Sequence, residues 1–128
     1  MEKDILSKKN KRNVGTYFEN MAADYLTDRG IMILERNYRN KLGEIDLIGL
    51  DEQGWLIFAE VKYRSSEHWG NPLAAVDSRK QRIISRVALA YLKSRYRSLD
   101  VKCRFDVIGI EGEEITWIKN AFDFSNTL

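Results

Sequence analysis

The stretch GEIDLIGLDEQGWLIFAEVKYR, residues 43–64, decides the fold. Two apolar runs flank Asp51-Glu52-Gln53-Gly54-Trp55, which fits a three-residue hairpin loop, Glu52 to Gly54, with glycine in the left-handed position that closes a bulge. That loop sets Asp51 opposite Trp55, and the same register carries Asp46 opposite Glu60 and Glu44 opposite Lys62. The four charges share one parity, so they are expected on one face of the sheet, at the end away from the turn. Ionic groups are costly in such strands unless they are paired or bound to a metal. Two carboxylates directly opposite have Cβ atoms roughly 5 Å apart, and at an effective dielectric of about 20 they repel by about 3 kcal/mol. A divalent cation offsets that cost by taking hard oxygen ligands from one or two carboxylates. The alternative is a surface cluster, with Glu44–Lys62 as a cross-strand ion pair and Asp46 or Glu60 turned to solvent.

Outward from this hairpin, the pattern is that of one α/β domain. Phe18, Met21, Ala22, Tyr25 and Leu26 recur at helical spacing between Thr16 and Arg29, and Gly30 follows as a stop. IMILERNYR reads as a strand before the hairpin. His68 to Pro72 holds Trp69, Gly70 and the single proline, so it reads as a loop. Over residues 74–95, Ile83, Ile84, Val87, Ala88 and Tyr91 form an apolar stripe, while Arg79, Arg82 and Arg86 follow another face. CRFDVIGI and ITWIKNAF are two further strands about the polar turn EGEE. The expected order is αβββαββ, with the helices covering both faces of one mixed sheet. Residues 1–13 are polar and basic and read as a flexible arm, leaving residues 14–128 as the domain.

Composition excludes several classes. With 128 residues, 44% apolar and 31% charged, the chain is of ordinary globular type and long enough for one core. No apolar run approaches the ~18 residues of a membrane span. The single cysteine, Cys103, permits no internal disulfide and no cysteine metal cluster, and a cytoplasmic protein is expected. Cys103 lies in a strand and reads as a small core residue. No Ser-His-Asp or Cys-His arrangement competes with the acids, and the one histidine, His68, falls in the loop. Arg104 and Asp106 share parity on a later strand and read as a structural ion pair. The net charge is only +2, yet residues 62–104 hold eleven Lys or Arg against three acids. A basic region on a near-neutral chain suits a phosphate-binding face, or else a solvated helix side.

Asp46, followed fourteen residues later by Glu60-Val61-Lys62, resembles the D…(D/E)-x-K signature of the restriction-endonuclease-like superfamily. A longer match spans roughly residues 14–122. ERNYRNKLGEIDLIGLD, FAEVKYR, WGNPLAAV, RKQRIISRVALAYL, RFDVIGI and ITWIKNAF together resemble the YraN family of small bacterial predicted nucleases. The resemblance implies a restriction-endonuclease-like core that hydrolyses phosphodiester bonds in DNA with Mg²⁺ or Mn²⁺, branched or damaged DNA being the substrate of similar small nucleases. It makes Asp46 and Glu60 metal ligands, with the carbonyl of Val61 as a third oxygen, and gives Lys62 the attacking water. Glu19 matches an extra acid on the first helix, although the family's usual Gly-Glu pair is here Phe18-Glu19; Thr16 to Glu19 also fits a capping box. Glu44 accompanies the site, and Gln81 matches a polar residue at the start of the second large helix. Arg64, Arg79, Lys80, Arg82 and Arg86 would hold the DNA through its phosphates, with Lys80 near enough to the apolar stripe to face the metal end. Cutting both strands of a duplex from one centre per chain favours a homodimer. The competing readings are a nucleic-acid-binding module of the same fold with little turnover, and an interaction protein marked by Trp69.

Overall fold

A computed structural model describes the backbone of residues 2–64 and 72–125, with side chains from residue 13 onward. His68, Trp69 and Gly70 of the expected loop lie outside the described residues. Helix α1 spans Glu2–Asp28, strands β1 to β3 span Met32–Asn40, Gly43–Leu50 and Leu56–Arg64, helix α2 spans Ser78–Arg95, and β4 and β5 span Cys103–Glu111 and Glu114–Phe122. The order αβββαββ expected of a restriction-endonuclease-like core is therefore the observed one. The strands form a single sheet in the order β1-β2-β3-β4-β5, antiparallel except for β3 beside β4. The parallel pair needs a crossover, which α2 supplies.

Each helix covers one face. Phe18, Ala22 and Leu26 of α1 pack with Leu47, Ile57, Val61, Ile108 and Ile110, whereas Ile84, Val87, Ala88 and Tyr91 of α2 pack with Ile48, Leu56, Phe58, Phe105 and Val107. The alternate residues of β3 and β4 thus enter two different cores, which explains why the central strands are apolar on both sides. Tyr91 meets Phe58 edge-on, with ring centroids 5.9 Å apart, and each such fully buried ring contributes about 1.5–3 kcal/mol.

Local chemistry sets the ends. Helix α1 closes at Gly30, φ +90°, where the Gly30 and Ile31 amides donate back to Thr27 and Leu26. It begins at Glu2, inside the segment expected to be an arm, and so runs through Thr16 to Glu19; Thr16 is an interior position and no capping box starts there. Helix α2 begins later than the expected residue 74, because Pro72–Ala75 forms a separate 3-10 turn and Asp77 caps the helix, accepting from the Lys80 amide at 2.9 Å. Gly43 opens β2 at φ +154°, and a Cβ there would stand 2.5 Å from Cγ2 of Ile83. The turn between β1 and β2 thus meets the first turns of α2 by direct contact.

Candidate functional site

The β2–β3 ladder follows the register read from its turn. Asp51 N donates to Trp55 O at 3.0 Å, Gly54 has φ +85°, and Leu50↔Leu56 through Leu47↔Ala59 are paired. The pairing stops there. By the same register Val61 would next exchange backbone bonds with Ile45; instead the Val61 N–H donates to Oδ2 of Asp46 at 2.7 Å. A side-chain carboxylate has taken the place of a backbone carbonyl, and the two strands part beyond it. The Val61 carbonyl, on the same edge as its N–H, is left on the open side of β3.

This corrects the placement of the four charges on one face. In β2, Ile45 packs on the α2 side and Leu47 on the α1 side, so the alternation slips at Asp46. The partner strand slips with it. Tyr38↔Ile45 and Arg36↔Leu47 are paired, while Asn37 between them takes φ +52°, a conformation asparagine tolerates better than most residues. Glu60 and Lys62 remain on the α2 face, and Asp46 sits in the gap between the parted strands. Nor does Glu44 face Lys62: it is paired with Arg39 on β1, Oε2 to Nη2 at 2.8 Å.

Asp46 nevertheless joins two sets of acids. From one side Glu19 and Glu44 approach it, and carboxylate oxygens of the three lie within 4.8 Å of one another. Glu19 is held by Asn37, whose Nδ2 donates to Oε2 at 3.1 Å. From the other side comes Glu60, 5% exposed, with Oε1 at 3.6 Å from Nζ of Lys80 and 3.8 Å from Nζ of Lys62. Its Oε2 is buried and receives no hydrogen bond from the described residues. Burial, then the charge of Asp46, pushes the Glu60 carboxyl up to about 8, against the opposing pull of Lys80 and Lys62. Burial also raises Asp46, helped by Glu19 and Glu44 and opposed by the Val61 amide. A protonated Glu60 can donate to Asp46, so the pair can share one proton.

The remaining residues singled out from sequence are spread along α2 and β3. Lys80 is drawn to Glu60, and Lys62, Arg79, Lys80 and Ile83 line a cavity of about 280 Å³ beside it. Gln81 is tied by its side chain to the Val76 carbonyl, Nε2 to O at 2.9 Å. Arg82 and Arg86 follow along α2, half-buried and exposed respectively, and Arg64 ends β3 in solvent. A larger cavity of about 440 Å³ lies at the hairpin end, away from these acids, among Arg29, Asp51, Arg104, Trp117 and Lys119. Sequence reasoning missed Asn37; asparagine in an otherwise extended run was the one available signal for it.

A model of the uncharacterised protein family UPF0102 matches residues 18–110. The chain belongs to this family. It is the family, also called YraN, that the motifs resemble. A UPF0102 protein of Lachnoclostridium phytofermentans is 46% identical over 114 residues, covering 89% of this chain and 96% of that one. Another, from Coxiella burnetii, is 42% identical over 114 residues, covering 88% and 93%. Among solved structures, this UPF0102 chain is similar to a repair endonuclease from Pyrococcus abyssi, with a TM-score of 0.42 and 20% identity over 76% of this chain and 35% of that one. It is similar also to the EndoMS-dsDNA2 complex, with a TM-score of 0.36 and 20% identity over 61% and 27%. The chain spans about a third of the length of the first of these structures.

Proposed function

We propose that this protein is a metal-dependent nuclease that hydrolyses phosphodiester bonds in DNA. One observation carries the reading: Glu60 is buried against Asp46 with one carboxylate oxygen left without a donor. An orphaned buried oxygen beside a second acid is a costly arrangement, and a divalent cation relieves it. The donors fit a hard ion such as Mg²⁺ or Mn²⁺: the carboxylates of Asp46 and Glu60, the open carbonyl of Val61, and Glu19 with Glu44 beyond Asp46. Bound there, the ion would lower the pKa of a water and offset charge on the phosphate.

The chain's own groups do the rest. The Val61 amide fixes the direction of Asp46. Lys62, beside Glu60, orients the attacking water and holds or passes its proton at Nζ. Lys80 and Arg79 receive phosphate oxygens in the cavity they share with Lys62. Gln81, anchored on Val76, keeps the first turn of α2 and hence Lys80 in place. Arg82, Arg86 and Arg64 extend the cationic surface and position a strand without reading its sequence. One centre per chain cuts one strand, so cleavage of both strands calls for two copies.

The ion pairs of Glu60 with Lys62 and Lys80 favour a second reading, a nucleic-acid-binding module whose acids are neutralised by lysine. Incubation with Mg²⁺ or Mn²⁺ and linear, nicked, flapped and four-way DNA separates the two. The nuclease reading expects cleavage that falls about a thousand-fold in Asp46→Ala, equal to ~4 kcal/mol of transition-state stabilisation, and falls also in Lys62→Ala. Cleavage that survives both substitutions overturns it. Salt-sensitive binding with no cleavage of any substrate supports the module.

A further inference from the structure

Asn37 lies on β1 between two ladder pairs, Arg36↔Leu47 and Tyr38↔Ile45, and the β2 residue between the same pairs is Asp46. Its φ is +52°. In a regular strand successive side chains go to opposite faces, so the neighbour of a residue that reaches α1 would turn to α2. Here two neighbours reach α1 together. Nη2 of Arg36 donates to Oδ1 of Asn20, and Nδ2 of Asn37 donates to Oε2 of Glu19 at 3.1 Å. Tyr38 then turns to the α2 side, edge-on to Tyr91 with ring centroids 5.1 Å apart. The left-handed turn at Asn37 allows this, at the cost of a backbone conformation that few residues adopt.

The bond gained by that turn is aimed at an acid. Carboxylate oxygens of Glu19, Glu44 and Asp46 lie within 4.8 Å of one another, and like charges so close repel unless each is held. Each is held by a different group: Asp46 by the Val61 amide, Glu44 by Arg39 and Glu19 by Asn37. The holders differ in kind. Arg39 brings a positive charge that competes with a cation for Glu44. Asn37 brings a neutral donor, which fixes the direction of Glu19 and leaves its charge unpaired among the described residues. The need for a cation at this place is marked separately, by the buried Glu60 oxygen without a donor on the other side of Asp46. Groups that hydrogen-bond a metal-ligating carboxylate from behind tune the affinity of the whole site.

We infer that Asn37 is a positioning residue for the cation: its amide, presented by a left-handed backbone turn, holds the Glu19 carboxylate towards Asp46 and so sets how tightly the centre binds a divalent ion. The inference rests on the metal-dependent reading of these acids and not on cleavage.

Mn²⁺ binding to the full chain, followed by titration calorimetry, tests it without turnover. Asn37→Gly keeps the backbone, because glycine takes a positive φ without strain, and removes only the amide. It should weaken Mn²⁺ binding about ten-fold. In a Glu19→Ala background the same substitution should change nothing further, since a residue that acts through Glu19 then has nothing to hold. Arg36→Ala cuts the neighbouring bond to α1 and touches no acid, so Mn²⁺ binding should stay as in the wild type. Both positions are exposed, so neither truncation opens a cavity, and melting without cation confirms that each variant folds. In cleavage assays Asn37→Gly should raise the Mn²⁺ concentration at half-maximal rate by the same factor and leave the rate at saturating Mn²⁺ near that of the wild type. Unchanged Mn²⁺ binding in Asn37→Gly, an equal loss with and without Glu19, or an equal loss in Arg36→Ala overturns the inference. So does a wild-type chain that takes up no Mn²⁺. Weaker binding in Asn37→Gly that requires Glu19, with no cleavage of any DNA, defeats the nuclease reading and leaves Asn37 in its role. Unchanged binding beside Mn²⁺-dependent cleavage that Asp46→Ala abolishes does the reverse.

Discussion

Two carboxylates are buried on neighbouring strands of the same sheet, Asp106 on β4 and Glu60 on β3, and their surroundings could hardly differ more. Asp106, 1% exposed, accepts from Nε of Arg104 at 3.1 Å, from the indole N–H of Trp117 at 2.8 Å and from the Asn120 amide at 2.9 Å. Glu60 has two lysines at one oxygen, beyond hydrogen-bonding distance, and no donor at the other. Both belong to places where the sheet departs from regularity. Asn120 and Asn37 each take φ +52°, the β4–β5 register shifts between Phe105 and Val107, and a carboxylate collects a freed amide in each region, Asp106 from Asn120 and Asp46 from Val61. What separates them is the next neighbour. A bulge whose acid meets arginine and indole is complete, whereas a bulge whose acid meets a second acid is stable only with something added.

The largest effect expected of that contrast on folding is at Asp106. Asp106→Ala leaves Arg104 with Asp51 alone and strands an indole N–H and a backbone amide, so equilibrium urea unfolding should show a loss of about 3 kcal/mol. A loss under ~1 kcal/mol would mean that water replaces the carboxylate easily and that the two regions differ less than their contacts suggest.

Next comes the pH dependence of the metal-free protein. The folded Glu60 carboxyl is raised from 4.5 to about 8, so the unfolded chain releases its proton first. Between those values the unfolded state binds fewer protons than the folded one, and stability from this group falls as pH rises, being fully present below about 4.5 and lost by about 8. Melting temperatures followed from pH 5 to about 8.5 should therefore decline, and Glu60→Gln should flatten the decline. Added Mg²⁺ or Mn²⁺ should reverse the slope in the wild type, because binding competes with the proton. A slope that Glu60→Gln leaves untouched would assign the pH dependence to other groups.

The smallest effect belongs at the rim. Arg39, with 71% of its side chain exposed, pairs with Glu44 in open solvent. Arg39→Ala should change stability by no more than about 0.5 kcal/mol, and less still at high salt. A larger change would make Arg39 a structural support of the acid cluster.

The same contrast explains what could be read in the chain beforehand. The hairpin register followed from Asp51, Gly54 and Trp55, because turn chemistry is local, and the element order followed from apolar periodicity and Gly30. The Arg104–Asp106 pair was legible too, through shared parity on one strand. The parting of β2 from β3 was not. It depends on a carboxylate outcompeting a backbone carbonyl for the Val61 amide and on Asn37 turning in concert across the sheet, events that leave a period-two pattern intact in the letters. Lys80 was expected to face the metal end from its place beside the apolar stripe, and it does approach Glu60; the letters did not show that Asp77 sets where α2 begins.

Gly43 has a mechanical consequence. With no side chain at that point, the turn between β1 and β2 and Ile83 close to touching distance, and α2 can lean in beside Glu60. Any larger residue there would act as a wedge, swinging the helix outward and drawing the Lys80 ammonium away while the acids stayed where the strands hold them. The spacing between the cationic and anionic halves of the centre is thus governed by a position that carries no charge at all.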